Sequence, residues 1–183
     1  PSVRPYMPVG VWNETTRYGD LRNYKHETGD GLYRRTMYTF WKRTAAPPSM
    51  LLFDAPNREI CTLKRSRTNT PLQALSLLNE VTYVEAARKL AGRMLAEAGD
   101  APDERLVQGF RLTLSRSPKS KELAVLAKGL SEDLAYFRAN PEAARKLLAF
   151  GESSSPSGEL AEVAAYVLAA NVLLNLDEFV TRE

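Results

Sequence analysis

Two carboxylates, Asp54 and Glu59, flank Pro56-Asn57-Arg58, and a carboxylate pair at short range is the equipment of general acid and base chemistry. The same stretch supplies Arg58 and, further on, Lys64 and Arg65, which are ordinary ion-pair partners for both acids. A second cluster follows. Lys64-Arg65-Ser66-Arg67-Thr68-Asn69-Thr70 runs into what reads as a helix start, so Arg65, Arg67, Thr68, Asn69 and Thr70 are candidates for an anion site. Backbone N–H groups, the positive end of a helix dipole and nearby guanidinium groups are what such a site needs. The competing assignment is structural: the Thr70 hydroxyl takes one of those N–H groups itself, and Arg67 or Asn69 ties the loop to the body.

The other chemistry-bearing residues stand alone. His26 is the single histidine, in Asn23-Tyr24-Lys25-His26-Glu27 with no Cys or carboxylate at ligand spacing. It makes neither a zinc nor a catalytic centre and is expected to face solvent. Cys61, the single cysteine, cannot form an intramolecular disulfide. Between Ile60 and Thr62 it is expected to pack as a small hydrophobe. No metal site and no cofactor are therefore expected within this chain. The run from Tyr33-Arg34-Arg35 to Phe40-Trp41-Lys42-Arg43 could stack on a sugar ring or an unpaired base. Alternatively its aromatics fill a core while the Arg and Lys stems cover the edge.

The net charge of +3 is unevenly placed: residues 1–70 hold twelve Lys and Arg against six Asp and Glu, whereas residues 71–183 hold thirteen against sixteen. That imbalance admits an anionic partner, or a basic segment lying against an acidic helical body. With 183 residues, 44% hydrophobic content and eight Tyr, the chain has enough apolar surface to fold, and no apolar run is long enough to span a bilayer.

The elements that must position these residues change character near Thr70. Residues 1–70 are punctuated by Pro and Gly, which predicts a loop-rich segment with at most short strands. One short strand is expected within Tyr33–Thr44, with a helix there as the alternative, and a single helical turn over Ser49–Phe53. Thr70-Pro71-Leu72-Gln73 combines a capping box with Pro at the first helical position. It opens one long helix, or two with a break near Asn79, ending at Gly99. Loss of the Thr70 cap is expected to cost more than loss of Gln73. Further helices are predicted after Asp100, near Ser120 and at Asn140-Pro141, followed by a Ser-rich loop over Glu152–Gly158. The last helix, about Glu159–Leu176, is free of charge from Val163 onward, which places it at the centre of a bundle. Asn171 and Asn175 within it are expected to pair with the backbone of the N-terminal segment. The fold expected is mainly α: an antiparallel helical bundle around a central C-terminal helix. Residues 1–70 form a basic wrapping segment and 71–183 the bundle, together one compact unit and a fragment of a larger protein.

Several stretches carry a family resemblance. Pro1-Ser2-Val3-Arg4-Pro5-Tyr6, Tyr33 to Arg43, Phe53-Asp54-Ala55-Pro56, Arg67 to Leu75 and Leu173 to Phe179 resemble the domain of unknown function numbered 1553. That domain lies at the C-terminal end of large planctomycete proteins that often carry a c-type cytochrome domain. The resemblance implies an exported, extracytoplasmic parent protein with haem on a separate Cys-x-x-Cys-His module. It transfers no catalytic residue. It does show one departure, Asn79-Glu80-Val81 where the family commonly has an Asn-Asp-Pro break between the first two helices.

The function expected on these grounds is a non-catalytic binding or scaffold domain of a cytochrome-linked multidomain protein. Its partners would be other domains of the parent, the cytochrome c domain among them, or an anionic glycan; nucleic acid is not the expected partner. The alternatives are a polysaccharide-active hydrolase using Asp54, Glu59 and the Arg67 to Thr70 corner, and an anion- or nucleic-acid-binding module.

Overall fold

The structure, a computed structural model, describes residues 2–8, 10–14, 24–42, 45–57 and 59–181. Arg58, an expected ion-pair partner of the carboxylates, and Arg43–Thr44, the end of the expected strand, lie outside them. The chain divides into two compact units, residues 1–73 and 74–183.

The first unit is built on aromatic contacts. Trp12, in the short helix α1 (Val11–Glu14), is 1% exposed, and its indole N–H donates to the Ala45 carbonyl at 2.7 Å. Tyr24 and Phe40 meet its ring edge-on, at centroid distances of 4.7 and 5.7 Å. Among the described residues the expected strand within Tyr33–Thr44 is not formed. Instead the backbone winds into two 3-10 turns, Gly29–Tyr33 and Thr36–Tyr38, and makes a parallel bridge between Val3 and Thr39. The bridge consists of Val3 N–H donating to the Tyr38 carbonyl at 2.8 Å and Phe40 N–H donating to the Val3 carbonyl at 2.7 Å. Pro5, two residues on from Val3, has no N–H to extend the ladder, so alternation of side chains alone could not make a strand. Pro48 opens helix α2 (Pro48–Leu52), the helical turn expected beside Ser49.

Helix α3 (Pro71–Asn79) begins in the first unit and ends in the second. Two helices, not one, follow Thr70. Glu80 is extended (φ −77°, ψ 140°) and caps α4 (Val81–Glu97), accepting from the Thr82 N–H at 3.1 Å and the Thr82 hydroxyl at 3.2 Å. A side-chain acceptor at this position supplies the break without a proline. Then come α5 (Pro102–Leu114), α6 (Ser120–Ala139), α7 (Pro141–Leu148), α8 (Leu160–Leu174) and α9 (Asp177–Val180).

The bundle is mainly helical and α8 is its centre, packed against α4, α5, α6 and α7. Ala164, Ala165 and Ala170 on α8 are fully buried beside Val163, Tyr166 and Leu173, so the helix is covered on nearly every side. Close approach is needed elsewhere too: a Cβ at Gly109 on α5 would lie 2.8 Å from both Leu173 Cδ1 and Met94 Cε. The Asn171 amide, expected to pair with the N-terminal segment, donates within the second unit to the Leu78 carbonyl at 3.5 Å, and Asn175, half-buried, closes the end of α8 through its backbone N–H. Among the described residues no helix is long and apolar enough to cross a membrane.

One ion network spans the α5–α6 connection and α9. Arg116 donates to Glu122 at 2.9 Å and to Glu178 at 2.7 Å. Hydrogen bonds from Arg116, then the Lys119 N–H, hold the Glu122 carboxyl down to about 2, and Arg116 lowers Glu178 as well. Folded values below the unfolded ones mean that this stabilisation is complete above the ordinary carboxylate range and is lost as pH falls from 4.5 towards 2. Melting temperatures measured from pH 5 down to pH 2 are therefore expected to fall less steeply in Arg116→Met than in the parent. Parallel curves would show that the network contributes nothing.

Candidate functional site

Helix α2 ends with its carbonyls pointing at the basic segment. Asp54 takes a left-handed conformation (φ 57°), which Asp tolerates better than most residues. Three consecutive carbonyls are then each taken by a side chain from further along: Leu52 by Gln73 Nε2 at 2.8 Å, Phe53 by Arg65 Nη2 at 2.7 Å, and Asp54 by Arg65 Nε at 3.1 Å. A cation at a helix C-terminus also complements the negative end of the dipole.

The carboxylate of Asp54 is engaged as well. Its Oδ2 accepts from both the N–H and the hydroxyl of Thr68, each at 2.8 Å. These two bonds, with help from the Arg65 charge, lower the Asp54 pKa. The Thr68 hydroxyl in turn accepts from Gln73 Nε2 at 3.0 Å, so Gln73, Thr68 and Asp54 form one chain of hydrogen bonds. The capping box expected at Thr70 is present: Gln73 N–H donates to the Thr70 hydroxyl at 3.2 Å and Thr70 N–H to Gln73 Oε1 at 2.9 Å. The result is a clasp joining the end of α2 to the start of α3.

Of the proposed site residues, Asp54, Arg65, Thr68 and Thr70 are brought together, by bonds to one another or to Gln73. Glu59 is exposed, with its N–H closing a turn on Asn57 Oδ1 at 3.1 Å. Arg67 and Asn69 are exposed on the same segment. Thr62, Lys64, Arg65, Ser66 and Arg67 line an open depression of about 670 Å³. An ionised Asp54 already holding two donors is a poor proton carrier. The clasp can fix a loop; it does not present an acid and a base to a substrate.

Two single residues behave differently from expectation. Cys61 is exposed, because the whole Glu59–Asn69 segment runs over the surface. His26 is half-buried rather than solvent-facing, with its ring 5.5 Å from that of Tyr6. Among the described residues no group of three or more His, Cys, Asp or Glu is placed to hold a metal ion.

Sequence reasoning also missed the importance of Gln73, which is only 2% exposed. Its place in the capping box was visible, but its bonds to Leu52 and Thr68 were not. The ranking of the two cap residues is therefore reversed. Gln73→Ala leaves the Leu52 carbonyl and the Thr70 N–H without their partners and is expected to cost about 1 to 3 kcal/mol. Thr70→Ala removes one cap acceptor, at about 0.5 to 2 kcal/mol. Urea midpoints for the two variants check the order, and a larger loss for Thr70→Ala would show that the clasp bonds are immaterial.

A second polar centre that the sequence did not announce lies in the other unit, where Glu85 and Arg88 are buried at 3% and 1% exposure. Their only signal was i,i+3 spacing on α4, which surface pairs share. They hold the loop after α7, beside a cleft of about 460 Å³ bordered by Lys89, Gly92, Ala96 and Ser154–Ser157.

A family described as protein of unknown function (DUF1553) matches residues 1–130, taking in the whole clasp. No curated protein and no solved structure matches the chain.

Proposed function

We propose that this chain, which belongs to the family of proteins of unknown function DUF1553, is a non-catalytic binding or scaffold domain of an exported, cytochrome-c-linked multidomain protein. The observation that supports it is the engagement of Asp54: both donors of Thr68 and the Arg65 guanidinium commit this residue to holding the chain in place. General acid or base work needs a carboxyl that can exchange its proton with a substrate. The first unit also carries an open depression with a basic lining, Lys64, Arg65 and Arg67.

In this reading the partners are other domains of the parent protein, the cytochrome c domain first, with an anionic glycan as the further class. Haem belongs to that other domain, since covalent c-type attachment takes two thiols and an adjacent His and this chain has Cys61 and His26 alone. Extracytoplasmic placement follows from the family resemblance.

Calorimetric titration of the chain into its parent's separately produced cytochrome module is the test. Saturable binding that weakens with salt is expected, and Asp54→Asn is expected to retain it. A defined polysaccharide turned over by the parent chain, with turnover lost in Asp54→Asn at unchanged melting temperature, would replace the binding role with the hydrolase.

A further inference from the structure

The first unit carries a surface that the clasp does not use. Exposed Glu27 and Asp30 precede it, but from Gly31 to Phe53 the sequence has no carboxylate, while Arg34, Arg35 and Lys42 supply three cations. Within that span Tyr33, Met37 and Tyr38 are 49%, 70% and 45% exposed, and Arg34 and Arg35 are exposed between them. Exposed apolar side chains grouped together mark interaction sites more often than singly scattered ones do. Tyr, Met and Arg are also the types enriched at the centres of protein interfaces, where a flat ring or a polarisable thioether gives contact area and a guanidinium pairs with carboxylates.

The segment is held in shape. Tyr38 N–H donates to the Arg35 carbonyl at 2.9 Å and Thr39 N–H to the Thr36 carbonyl at 3.1 Å, while Val3 takes the backbone of Tyr38 and Phe40 on either side of buried Thr39. A turn braced by its own backbone loses little conformational freedom on binding.

We propose that the Tyr33–Tyr38 turn is a docking surface for an acidic protein segment that also presents aromatic or aliphatic side chains. The proposal rests on the binding role above and names its surface and the chemistry of its partner. Charge complementarity selects an acidic partner. Two adjacent arginines suit one or two carboxylates better than a phosphate track, which draws on roughly 6 to 10 cations. Met37, the most exposed of the three apolar side chains, adapts its shape to apolar protein groups.

The probe is a fluorescein-labelled glutamate–tyrosine random copolymer followed by anisotropy, beside polyglutamate of the same length, heparin and single-stranded DNA. The copolymer is expected to bind about tenfold more tightly than polyglutamate, a difference in line with one or two buried anchors. Met37→Ala with Tyr38→Ala is expected to reduce copolymer binding to the polyglutamate level. Arg34→Glu with Arg35→Glu is expected to remove the preference for the copolymer and to weaken both, leaving the binding that the Lys64–Arg67 depression supplies. All four substitutions are at exposed positions, and unchanged melting temperatures verify that the fold is intact. Tighter binding of heparin or DNA than of the copolymer, or variants that bind like the parent, overturns the proposal. The cytochrome module separates this surface from the broader role. Undiminished binding of the module by Arg34→Glu/Arg35→Glu removes the surface and leaves the binding domain standing. A parent chain that binds the copolymer but not the module leaves the surface and removes the module as its partner.

Discussion

Arg88→Leu is expected to destabilise the second unit by about 3 to 5 kcal/mol, the cost of removing one member of a buried charge pair and leaving the other uncompensated. Arg88 donates through Nη1 to the Leu148 carbonyl at 2.6 Å, and through Nε and Nη2 to the Ser153 hydroxyl at 3.2 and 2.6 Å. Its Nη2 also stands 3.5 Å from Glu85 Oε1. That oxygen accepts the N–H groups of Glu152 and Ser153, the latter at 2.7 Å, so one carboxylate and one guanidinium hold the chain where it leaves α7. Gly151 is what lets the loop come so close: its φ is +88°, and a Cβ there would sit 2.3 Å from Glu85 Oε1. With Arg88 gone, the Ser153 hydroxyl also loses its donor, and the Leu148 carbonyl keeps only the Ser155 hydroxyl, at 2.9 Å. The checks are the urea midpoint and hydrogen exchange at the Glu152 and Ser153 amides, which is expected to speed up. Glu85→Leu combined with Arg88→Leu is expected to cost less than the sum of the single changes, because no unpaired charge remains. A midpoint for Arg88→Leu within about 0.5 kcal/mol of the parent would mean that the loop is held by other contacts.

Trp12→Ala is expected to cost about 3 to 5 kcal/mol, the range for removing a large buried aromatic ring. The ring is the meeting point of the first unit's aromatic cluster, with Tyr24 and Phe40 edge-on to it. Tyr24 is itself fixed by its hydroxyl, which donates to the Pro5 carbonyl, and burial raises its pKa. Trp12→Phe separates the two contributions. It keeps most of the apolar volume but leaves the Ala45 carbonyl without the indole donor, for an expected loss of about 1 to 3 kcal/mol. Thermal and urea melts followed by near-ultraviolet circular dichroism measure both. Equal losses from the two variants would show that the hydrogen bond, rather than the ring packing, carries the stability.

What the sequence determined on its own was local. Thr70 and Gln73 announced the start of α3, and Pro102, Ser120 and Pro141 announced α5, α6 and α7, because caps and first-turn prolines act within one turn of the chain. The charge-free stretch from Val163 onward placed α8 at the centre, since a helix with no polar face has nowhere else to go. The resemblance carried by stretches such as Tyr33–Arg43 and Arg67–Leu75 pointed to the family that matches residues 1–130. Tertiary structure alone decided how the polar residues are used. Asp54 could be read as an acid or base and Arg65 as an anion ligand, each beside a structural alternative, and both are braces because the chain path set Thr68 against the carboxylate and two backbone carbonyls against the guanidinium. Gln73 reaches Leu52 across 21 positions and Arg88 reaches Ser153 across 65. Their partners include backbone carbonyls, which every residue type possesses, so no pattern of side chains marks where such a bond will form. Tyr33–Thr44 shows the same limit from the other side: its alternation suggested a strand, but a strand needs a neighbour with free N–H groups, and among the described residues Val3 beside Pro5 offers one rung.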